Sequence, residues 1–356
     1  MRVATADAWM LTAAGEPLTQ RSLPMADPDH GEAIVEVIGC GVCHTDLGFA
    51  DGSVRPNHPL PLILGHEVVG RVVATGAGAE DLLSCEVLVP AVLPCGDCAF
   101  CAAGRGNACV QQKMPGNDIH GGFATHLRVP AAPLVRLDGA PAGFDVRQLA
   151  VVADAVSTAW QAAVRAEIGP GDAVFVIGAG GGVGGYAVQI ARSLGARVIA
   201  CDVRQGPLDL IKNFGAEETV LMADLSPRDV RKAVQTIARR WDVPSLRWKI
   251  LECSGHPDGQ LAAFAMIGRA STLVQVGFTP RKIELRLSNL MAFDATVHGT
   301  WGCPPAAYPA VLQRIYNGDI QIAPFVDYAP LSAVGQILSD MANHSLTKRM
   351  ILLPHT

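Results

Sequence analysis

Short apolar runs separated by turn-forming residues characterise the first 150 positions of the chain. Runs at 33–38, 67–74 and 87–92 are each long enough for one strand, and Gly, Pro and Asp lie between them. We therefore predict a β-rich domain with many turns in this part of the chain.

The pattern changes at about residue 151, where apolar positions first take a helical spacing. The stretch 151–166 predicts a helix, and Gly and Pro within 168–172 end it before the next apolar run. Beyond it, strand-like and helix-like segments alternate, which favours a doubly wound parallel sheet. The predicted elements are a strand at 173–177, a helix at 186–194, and strands at 197–201, 249–252 and 272–276.

Turn-rich sequence returns after about residue 300 and ends in a predicted strand at 350–353. We expect the two ends of the chain to form one domain, which the sheet domain interrupts. The predicted domains are thus 1–153 with 300–356, and 154–299. A length of 356 residues is typical of about two domains.

Composition narrows the class of protein. Apolar residues make up 49% of the chain and the formal net charge is −5, which gives no basis for a nucleic-acid or membrane surface. No apolar run approaches the roughly 18 residues of a membrane helix, and the N-terminal segment lacks the pattern of a secretory signal. We expect a soluble, cytoplasmic protein whose ten cysteines are metal ligands or buried thiols.

Four cysteines lie in a C-x2-C-x2-C-x7-C pattern within a lobe at about 94–110. They are Cys95, Cys98, Cys101 and Cys109. Four thiolates at this spacing can surround one tetrahedral metal, and a site closed by four cysteines is structural rather than catalytic. An iron–sulfur cluster remains an alternative, whereas pairs two residues apart are poorly placed for disulfides. We predict a structural zinc.

A glycine cluster joins the predicted strand at 173–177 to the helix that follows. In such a turn, backbone N–H groups can approach a pyrophosphate at the helix N-terminus. Two glycine registers fit the motif, and we prefer Gly178 as the first turn residue because the strand ends beside it. The candidate dinucleotide-binding residues are Gly178, Gly180, Gly181, Gly182, Val183, Gly184, Asp202 and Arg204. A carboxylate at position 202 favours NAD over NADP, although Arg204 lies close to it.

A second metal site is predicted around Cys43 and His66, which lie in Gly-Cys-Gly-Val-Cys-His-Thr-Asp and Gly-His-Glu. Taken singly, Cys43 is typical of a buried thiol and His66 of a core histidine. Together they provide two of the three protein ligands that a catalytic zinc needs.

These motifs in this order resemble the zinc-dependent medium-chain alcohol dehydrogenases over essentially the whole chain. The resemblance implies a GroES-like catalytic domain and a Rossmann domain with a cleft between them, two zinc ions per chain and NAD as cofactor. Zinc would act as a Lewis acid on the alcohol, and NAD would accept a hydride.

The usual third zinc ligand of this family is a cysteine, and Asp154 occupies that position here. A carboxylate can bind zinc, and its harder oxygen should make the ion more electrophilic and more easily lost. Glu67 is predicted as an exchangeable fourth ligand. A metal-free site with Asp154 acting as an acid remains an alternative.

The proton path also departs from the family. Thr45 matches the hydroxyl that takes the proton from the alcohol, but Gly48 stands where several relatives have a histidine. The relay beyond Thr45 remains open between water and residues such as Asp51 or His58. By resemblance, His44 and Arg349 lie near the cofactor phosphates.

A narrower resemblance concerns the substrate. Six segments are similar to 6-hydroxycyclohex-1-ene-1-carbonyl-CoA dehydrogenases of anaerobic benzoyl-CoA degradation, which oxidise a ring hydroxyl to a conjugated ketone with NAD. They are 112–118, 151–155, 248–250, 252–255, 286–293 and 301–305. This implies a CoA thioester substrate, and the wider family suggests a homodimer or homotetramer. A polyol or secondary-alcohol dehydrogenase is the main alternative, and a non-catalytic NAD-binding protein is a more distant one.

Overall fold

The computed structural model describes residues 3–355, which form two compact units. The first unit runs to Ser157 and also includes Gly302–Tyr316 and the segment from Ile322 onward. The second unit comprises Thr158–Trp301 and Asn317–Gln321. Each unit has its own hydrophobic core.

Within residues 3–355 the structure has sixteen strands and ten α-helices. The strands are β1 Thr5–Leu11, β2 Thr19–Pro24, β3 Glu32–Gly41, β4 Leu62–Ile63, β5 Glu67–Thr75, β6 Glu86–Val89, β7 His126–Pro130, β8 Val135–Arg136, β9 Ala173–Ile177, β10 Arg197–Asp202, β11 Glu218–Leu221, β12 Trp248–Glu252, β13 Thr272–Gln275, β14 Thr296–Gly299, β15 Val326–Pro330 and β16 Arg349–Leu353. The helices are α1 His44–Asp51, α2 Ala99–Ala102, α3 Ala155–Arg165, α4 Gly184–Ser193, α5 Gln205–Lys212, α6 Pro227–Arg240, α7 Pro257–Ala265, α8 Ser288–Phe293, α9 Tyr308–Tyr316 and α10 Val334–Ala342.

The first unit is built on a seven-stranded sheet and a three-stranded sheet. The larger sheet has the order β15-β16-β3-β5-β6-β8, with β7 also paired to β3, and the smaller has the order β2-β1-β4. Strand β16 pairs with β3, so the end of the chain returns to the sheet formed by its beginning. The buried side of β3 packs into an aliphatic core that includes Val35 and Val37.

The second unit contains a six-stranded parallel sheet in the order β11-β10-β9-β12-β13-β14. All five residues of β9 are buried, as expected for a central strand of a parallel sheet covered on both faces. Strands β9 to β11 are added toward one edge of the sheet and β12 to β14 toward the other, so the strand order reverses between β9 and β12. Such a switch point creates a crevice at the carboxyl ends of these strands, where dinucleotides bind in this architecture.

The helix predicted at 151–166 is interrupted at Asp154, so that part of the prediction is wrong. A 3₁₀ segment, Val146–Ala153, precedes the break, and Asp154 itself has the non-helical angles φ −132° and ψ −68°. Aspartate competes with the helical backbone for hydrogen bonds and is common at such breaks. The C-terminal region, predicted as turn-rich, also contains helices α9 and α10.

Among residues 3–355, no helix has the length and apolar character needed to cross a lipid bilayer.

Candidate functional site

Three separate parts of the first unit bring Cys43, His66 and Asp154 together. Cys43 is the N-cap residue of α1, His66 directly precedes β5, and Asp154 lies at the break before α3. One donor atom from each residue lies within 4.8 Å of the other two. The structure therefore brings together the three residues that the sequence analysis predicted as zinc ligands.

Distances between the donor atoms match the edges of a metal tetrahedron. The Cys43 Sγ lies 3.6 Å from Oδ2 of Asp154, and the His66 Nε2 lies 3.5 Å from the same oxygen. Tetrahedral zinc with bonds of about 2.0–2.3 Å has donor–donor edges of about 3.3–3.8 Å. These two edges fit a zinc ion, and three protein ligands would leave one position for a substrate oxygen.

The environment of His66 gives independent evidence for a metal. The side chain is buried, and neither ring nitrogen makes a hydrogen bond of good geometry with any described residue. Buried ring nitrogens without a well-formed hydrogen bond are costly unless something else binds them. Nδ1 lies 3.3 Å from Oδ1 of Asp46, so Nε2 is the nitrogen directed at the other donors.

Asp46 is a site residue that the sequence analysis noted only as a candidate acid beside Cys43, without a specific role. Its buried carboxylate accepts hydrogen bonds from the N–H of Cys43 (2.9 Å) and the N–H of Gly65 (3.0 Å). It thus ties the loops of two metal ligands together and orients His66, as acidic partners of metal-bound histidines do. A signal was present, because Asp46 lies three residues after the N-cap residue of α1, where a side chain can bond back to the helix start.

The carboxylates around His66 also control its charge. Burial alone lowers the pKa of His66, but Asp46 and Asp154 outweigh burial and hold this pKa well above the ordinary histidine value. A negative pocket of this kind attracts a cation, and a divalent metal ion would displace the proton.

Glu67 does not belong to the group of three donors that lie within 4.8 Å of one another. Its buried carboxylate accepts two hydrogen bonds from Arg349, at 2.6 and 2.7 Å, and one from the N–H of Ala155 at 3.1 Å. Burial raises the pKa of Glu67 to about 7, although the guanidinium of Arg349 acts in the opposite direction. In this conformation Glu67 is not a fourth metal ligand, and the guanidinium of Arg349 is directed at Glu67.

The remaining catalytic candidate, Thr45, lies beside the metal ligands. Its Oγ1 is 3.7 Å from the sulfur of Cys43. The two proposed ends of the proton path have local partners: Asp51 accepts a hydrogen bond from the N–H of Ser53, and Nδ1 of His58 faces the carbonyl of Pro59. The route beyond Thr45 therefore remains a prediction.

His44 follows Cys43 at the start of α1. Burial, and then the positive charge of Arg349, lower the pKa of His44. Its predicted place near the cofactor phosphates remains a prediction.

The four cysteines of the lobe form a second cluster. The Cys98 sulfur lies 3.5 Å from Cys101 and 3.7 Å from Cys109, and the Cys95 sulfur lies 3.4 Å from Cys109 and 4.0 Å from Cys101. Disulfide sulfurs are about 2.05 Å apart, whereas four sulfurs around zinc at about 2.3 Å are separated by about 3.8 Å. The cluster fits a tetrahedral metal and contains no disulfide.

The glycine turn after β9 adopts the register that begins at Gly178. This residue has φ +75°, and a Cβ there would lie 2.7 Å from the backbone of Ser254. Helix α4 starts at Gly184, where a Cβ would lie 2.0 Å from the carbonyl oxygen of Gly178. The turn is therefore as tight as the dinucleotide motif requires, and Gly181, Gly182 and Val183 lie between these two residues.

Asp202 ends strand β10 beside this turn. Its buried carboxylate accepts hydrogen bonds from the N–H of Gly180 (2.8 Å) and the N–H of Arg204 (3.0 Å). The side chain of Arg204 also lies near it, with Nε 3.9 Å from Oδ1. Backbone donors thus fix the carboxylate that would bind an adenosine ribose.

We expect the change Asp202→Asn to weaken the discrimination between the two cofactors. Asparagine keeps an acceptor for the Gly180 N–H and removes the charge that repels a 2′-phosphate, so the ratio of kcat/KM for NAD over NADP should fall at least about tenfold. Steady-state kinetics with both cofactors measures this ratio. Asp209→Asn, an exposed aspartate on α5, serves as the control, and equal ratios in both variants would contradict the assignment.

Glu252 is a second residue that the sequence analysis missed. It is buried at the end of β12, and its carboxylate accepts hydrogen bonds from the N–H and hydroxyl of Ser254 and from Nε2 of Gln275 at 2.7 Å. Burial raises its pKa. It shapes the loop that packs against Gly178, and the sequence signal was an acid at the end of an apolar strand.

Comparisons with known proteins agree with this geometry. Residues 29–139 match the domain family described as "Alcohol dehydrogenase GroES-like domain", and residues 182–317 match the family "Zinc-binding dehydrogenase". An alcohol dehydrogenase of Schizosaccharomyces pombe is 32% identical over 71% of this chain and 70% of its own length. An alcohol dehydrogenase of Geobacillus stearothermophilus is 27% identical over 95% and 96%, respectively.

A solved structure extends the likeness to the whole fold. The cobalt- and zinc-bound thermostable alcohol dehydrogenase of Pyrobaculum aerophilum superposes with a TM-score of 0.84 at 27% identity, and the match covers 98% of this chain and all of that one. The predicted fold class, the enzyme class, and zinc and NAD as cofactors are thereby confirmed. The chain belongs to the zinc-dependent medium-chain alcohol dehydrogenase family.

Proposed function

We propose that this enzyme oxidises the ring hydroxyl of 6-hydroxycyclohex-1-ene-1-carbonyl-CoA to the 6-oxo product with NAD, in anaerobic benzoyl-CoA degradation. The proposal rests on Asp154 in place of the family's cysteine, on Gly48 in the proton path, and on the six sequence segments similar to that subgroup. The observation that carries most weight is the placement of Asp154 among the metal donors, because it makes the substitution part of the site.

The chain's own residues have distinct tasks in this reaction. Cys43, His66 and Asp154 would hold zinc, which would supply a Lewis acid for the alcohol oxygen, and NAD would supply the hydride acceptor. Asp46 keeps His66 in one orientation. The hydroxyl of Thr45 accepts the substrate proton as it passes its own proton onward, so one alcohol and NAD give one ketone, NADH and one released proton.

We assign the cofactor to the glycine turn and Asp202 of the second unit. The role of His44 near its phosphates stays a prediction, whereas the Arg349 guanidinium is bound by Glu67 in this structure. Support comes from the switch point between β9 and β12 and from the fixed carboxylate of Asp202. A cytoplasmic location, without nucleic-acid or membrane partners, remains a prediction; the free state of all ten cysteines agrees with a reducing compartment.

NAD reduction measured with 6-hydroxycyclohex-1-ene-1-carbonyl-CoA beside a panel of polyols and simple secondary alcohols tests the substrate. We expect kcat/KM for the thioester to exceed every panel member by at least about a hundredfold, a difference of about 2.7 kcal/mol. Absence of thioester turnover would reject the proposal.

A zinc-dependent polyol or secondary-alcohol dehydrogenase is the second candidate. It is favoured by the matched relatives, which are named simply as alcohol dehydrogenases. The same panel distinguishes the two, because activity on a polyol equal to or above that on the thioester supports this second candidate.

We also propose that the enzyme is a homo-oligomer, either a homodimer or a homotetramer. The second unit exposes large apolar side chains near β14, the edge strand of its sheet: Phe278, Leu287, Met291, Val297 and Trp301. An exposed apolar edge is a typical protein–protein contact, and a second copy offers the same edge for pairing.

Charge on this edge should weaken association. The side chain of Met291 is 78% exposed. We expect Met291→Glu to raise the dissociation constant of the oligomer at least about tenfold, so that more of the protein is monomeric. Light scattering coupled to size exclusion measures the mass. The control is Leu246→Glu, an exposed leucine of the same unit. A monomeric wild type, or an unchanged oligomer in Met291→Glu, would contradict the proposal.

A further inference from the structure

Glu67 occupies a pocket built specifically for a carboxylate. The side chain is fully buried, and no space remains for a Cβ at Gly41, where one would lie 2.0 Å from Oε2 of Glu67. Arg349, whose side chain is 8% exposed, is its counter-ion. Its Nε and Nη2 each donate a hydrogen bond to one carboxylate oxygen of Glu67. Strands β3, β5 and β16 thus each contribute to the placement of this one carboxylate.

Such a buried ion pair needs an explanation beyond stability. Taking both charges out of water costs about as much as their attraction returns, so apolar residues of similar size would often stabilise the fold equally well. The remaining hydrogen bond of the carboxylate indicates what the pair does in addition.

That hydrogen bond reaches the backbone next to Asp154. The Glu67 Oε1 accepts the N–H of Ala155, the first residue of α3, at 3.1 Å. Ala155 follows Asp154 directly, at the point where the 3₁₀ segment ends and the non-helical angles of Asp154 turn the chain. The peptide between the two residues is therefore held by Glu67.

We propose that Glu67, fixed by Arg349, is a positioning residue for Asp154 and holds its carboxylate toward the metal without binding the metal itself. This rests on the proposed role of Asp154 as a metal ligand. The hydrogen bond from the Ala155 N–H to Glu67 is the contact that positions Asp154. The negative charge of Glu67 keeps its side chain bound to Arg349.

Two substitutions of Glu67 distinguish the effect of side-chain length from the effect of side-chain charge. Glu67→Gln keeps the side-chain length and an oxygen for the Ala155 N–H, but it loses the charge. Glu67→Asp keeps the charge beside Arg349, but withdraws the acceptor by one methylene. We expect the dissociation constant of the catalytic zinc to rise at least about tenfold in Glu67→Asp and to stay within about threefold in Glu67→Gln, as for other partners that orient metal ligands.

Zinc per chain, measured by elemental analysis after equilibration with graded chelator, gives these constants, and the four-cysteine zinc is the internal reference. The visible spectrum of the cobalt-substituted protein reports the donor geometry, and it should change in Glu67→Asp alone. If Glu67→Gln is unstable, Arg349→Lys keeps Glu67 and a cation beside it, and the dissociation constant of the zinc should again stay within about threefold.

Two results would overturn the proposal. Unchanged zinc affinity and spectrum in Glu67→Asp would leave Glu67 a purely structural role, and greater loss in Glu67→Gln than in Glu67→Asp would show that it acts through its charge. Failure of the metal site itself looks different, since wild-type protein would then hold only one zinc per chain.

Discussion

Replacing Asp154 with alanine should remove one of two zinc ions per chain and lower kcat at least about a thousandfold. The structure places Asp154 Oδ2 3.6 Å from the Cys43 sulfur and 3.5 Å from His66 Nε2, so its loss leaves only two protein donors. A thousandfold loss corresponds to about 4 kcal/mol of transition-state stabilisation, in the range that a Lewis-acidic metal supplies. Elemental analysis and steady-state kinetics measure both effects.

Two control variants test whether the effect of Asp154→Ala comes from the loss of a metal ligand. Asp138→Ala removes an exposed aspartate of the same unit and should leave both quantities unchanged. Asp154→Cys introduces the thiolate usual in the family, and should bind zinc at least as tightly as the wild type because thiolate is the softer ligand. Two zinc ions per chain in Asp154→Ala, with kcat within threefold of wild type, would refute a metal-binding role for this residue.

Replacing Cys95 with serine should act on stability first. We expect the loss of the other zinc ion and a fall in the unfolding temperature of about 10 °C. The short helix α2 of the lobe has no buried residue, and Phe100 is 44% exposed. Metal binding would therefore supply a large part of the folding free energy of the lobe. A loss of about 3–5 kcal/mol gives a temperature shift of this size in a domain of 150–250 residues.

Calorimetry and zinc analysis test this second prediction, with Cys85→Ser as the matched cysteine control outside the cluster. That control should stay within about 2 °C of the wild type. We expect kcat per folded chain in Cys95→Ser to fall less than tenfold, because the lobe does not contribute to the catalytic donors. A variant that keeps two zinc ions and the unfolding temperature of Cys85→Ser would contradict a structural metal here.

Features encoded by local sequence could be predicted closely. The strand at 173–177 and the tight turn at Gly178 agree with the structure because an apolar run, followed by glycine where φ is positive, has few alternative conformations. The four-cysteine cluster lies within fifteen residues, so spacing alone indicates its geometry.

Partners distant in sequence could not be predicted from local pattern. Glu67 and Arg349 are 282 positions apart, and nothing in the sequence indicated their contact. Cys43 and Asp154 are 111 positions apart, and only the family resemblance placed them at one metal. Resemblance identified Glu67 and Arg349 as site residues but not their contact with each other or with Ala155. The break at Asp154 was missed for the same reason. The apolar spacing of 151–166 predicts a helix, and it does not indicate that the distant carboxylate of Glu67 binds the Ala155 N–H.

The central claim is that a carboxylate replaces a thiolate as the third protein ligand of the catalytic zinc. A crystal structure with anomalous data collected at the zinc edge tests this most directly. The account predicts two peaks per chain, one of them bonded to Cys43 Sγ at about 2.3 Å, to His66 Nε2 at about 2.0–2.1 Å and to an oxygen of Asp154 at about 2.0–2.2 Å. A single peak at the four cysteines, or a second peak with Asp154 more than about 3 Å away, would contradict it.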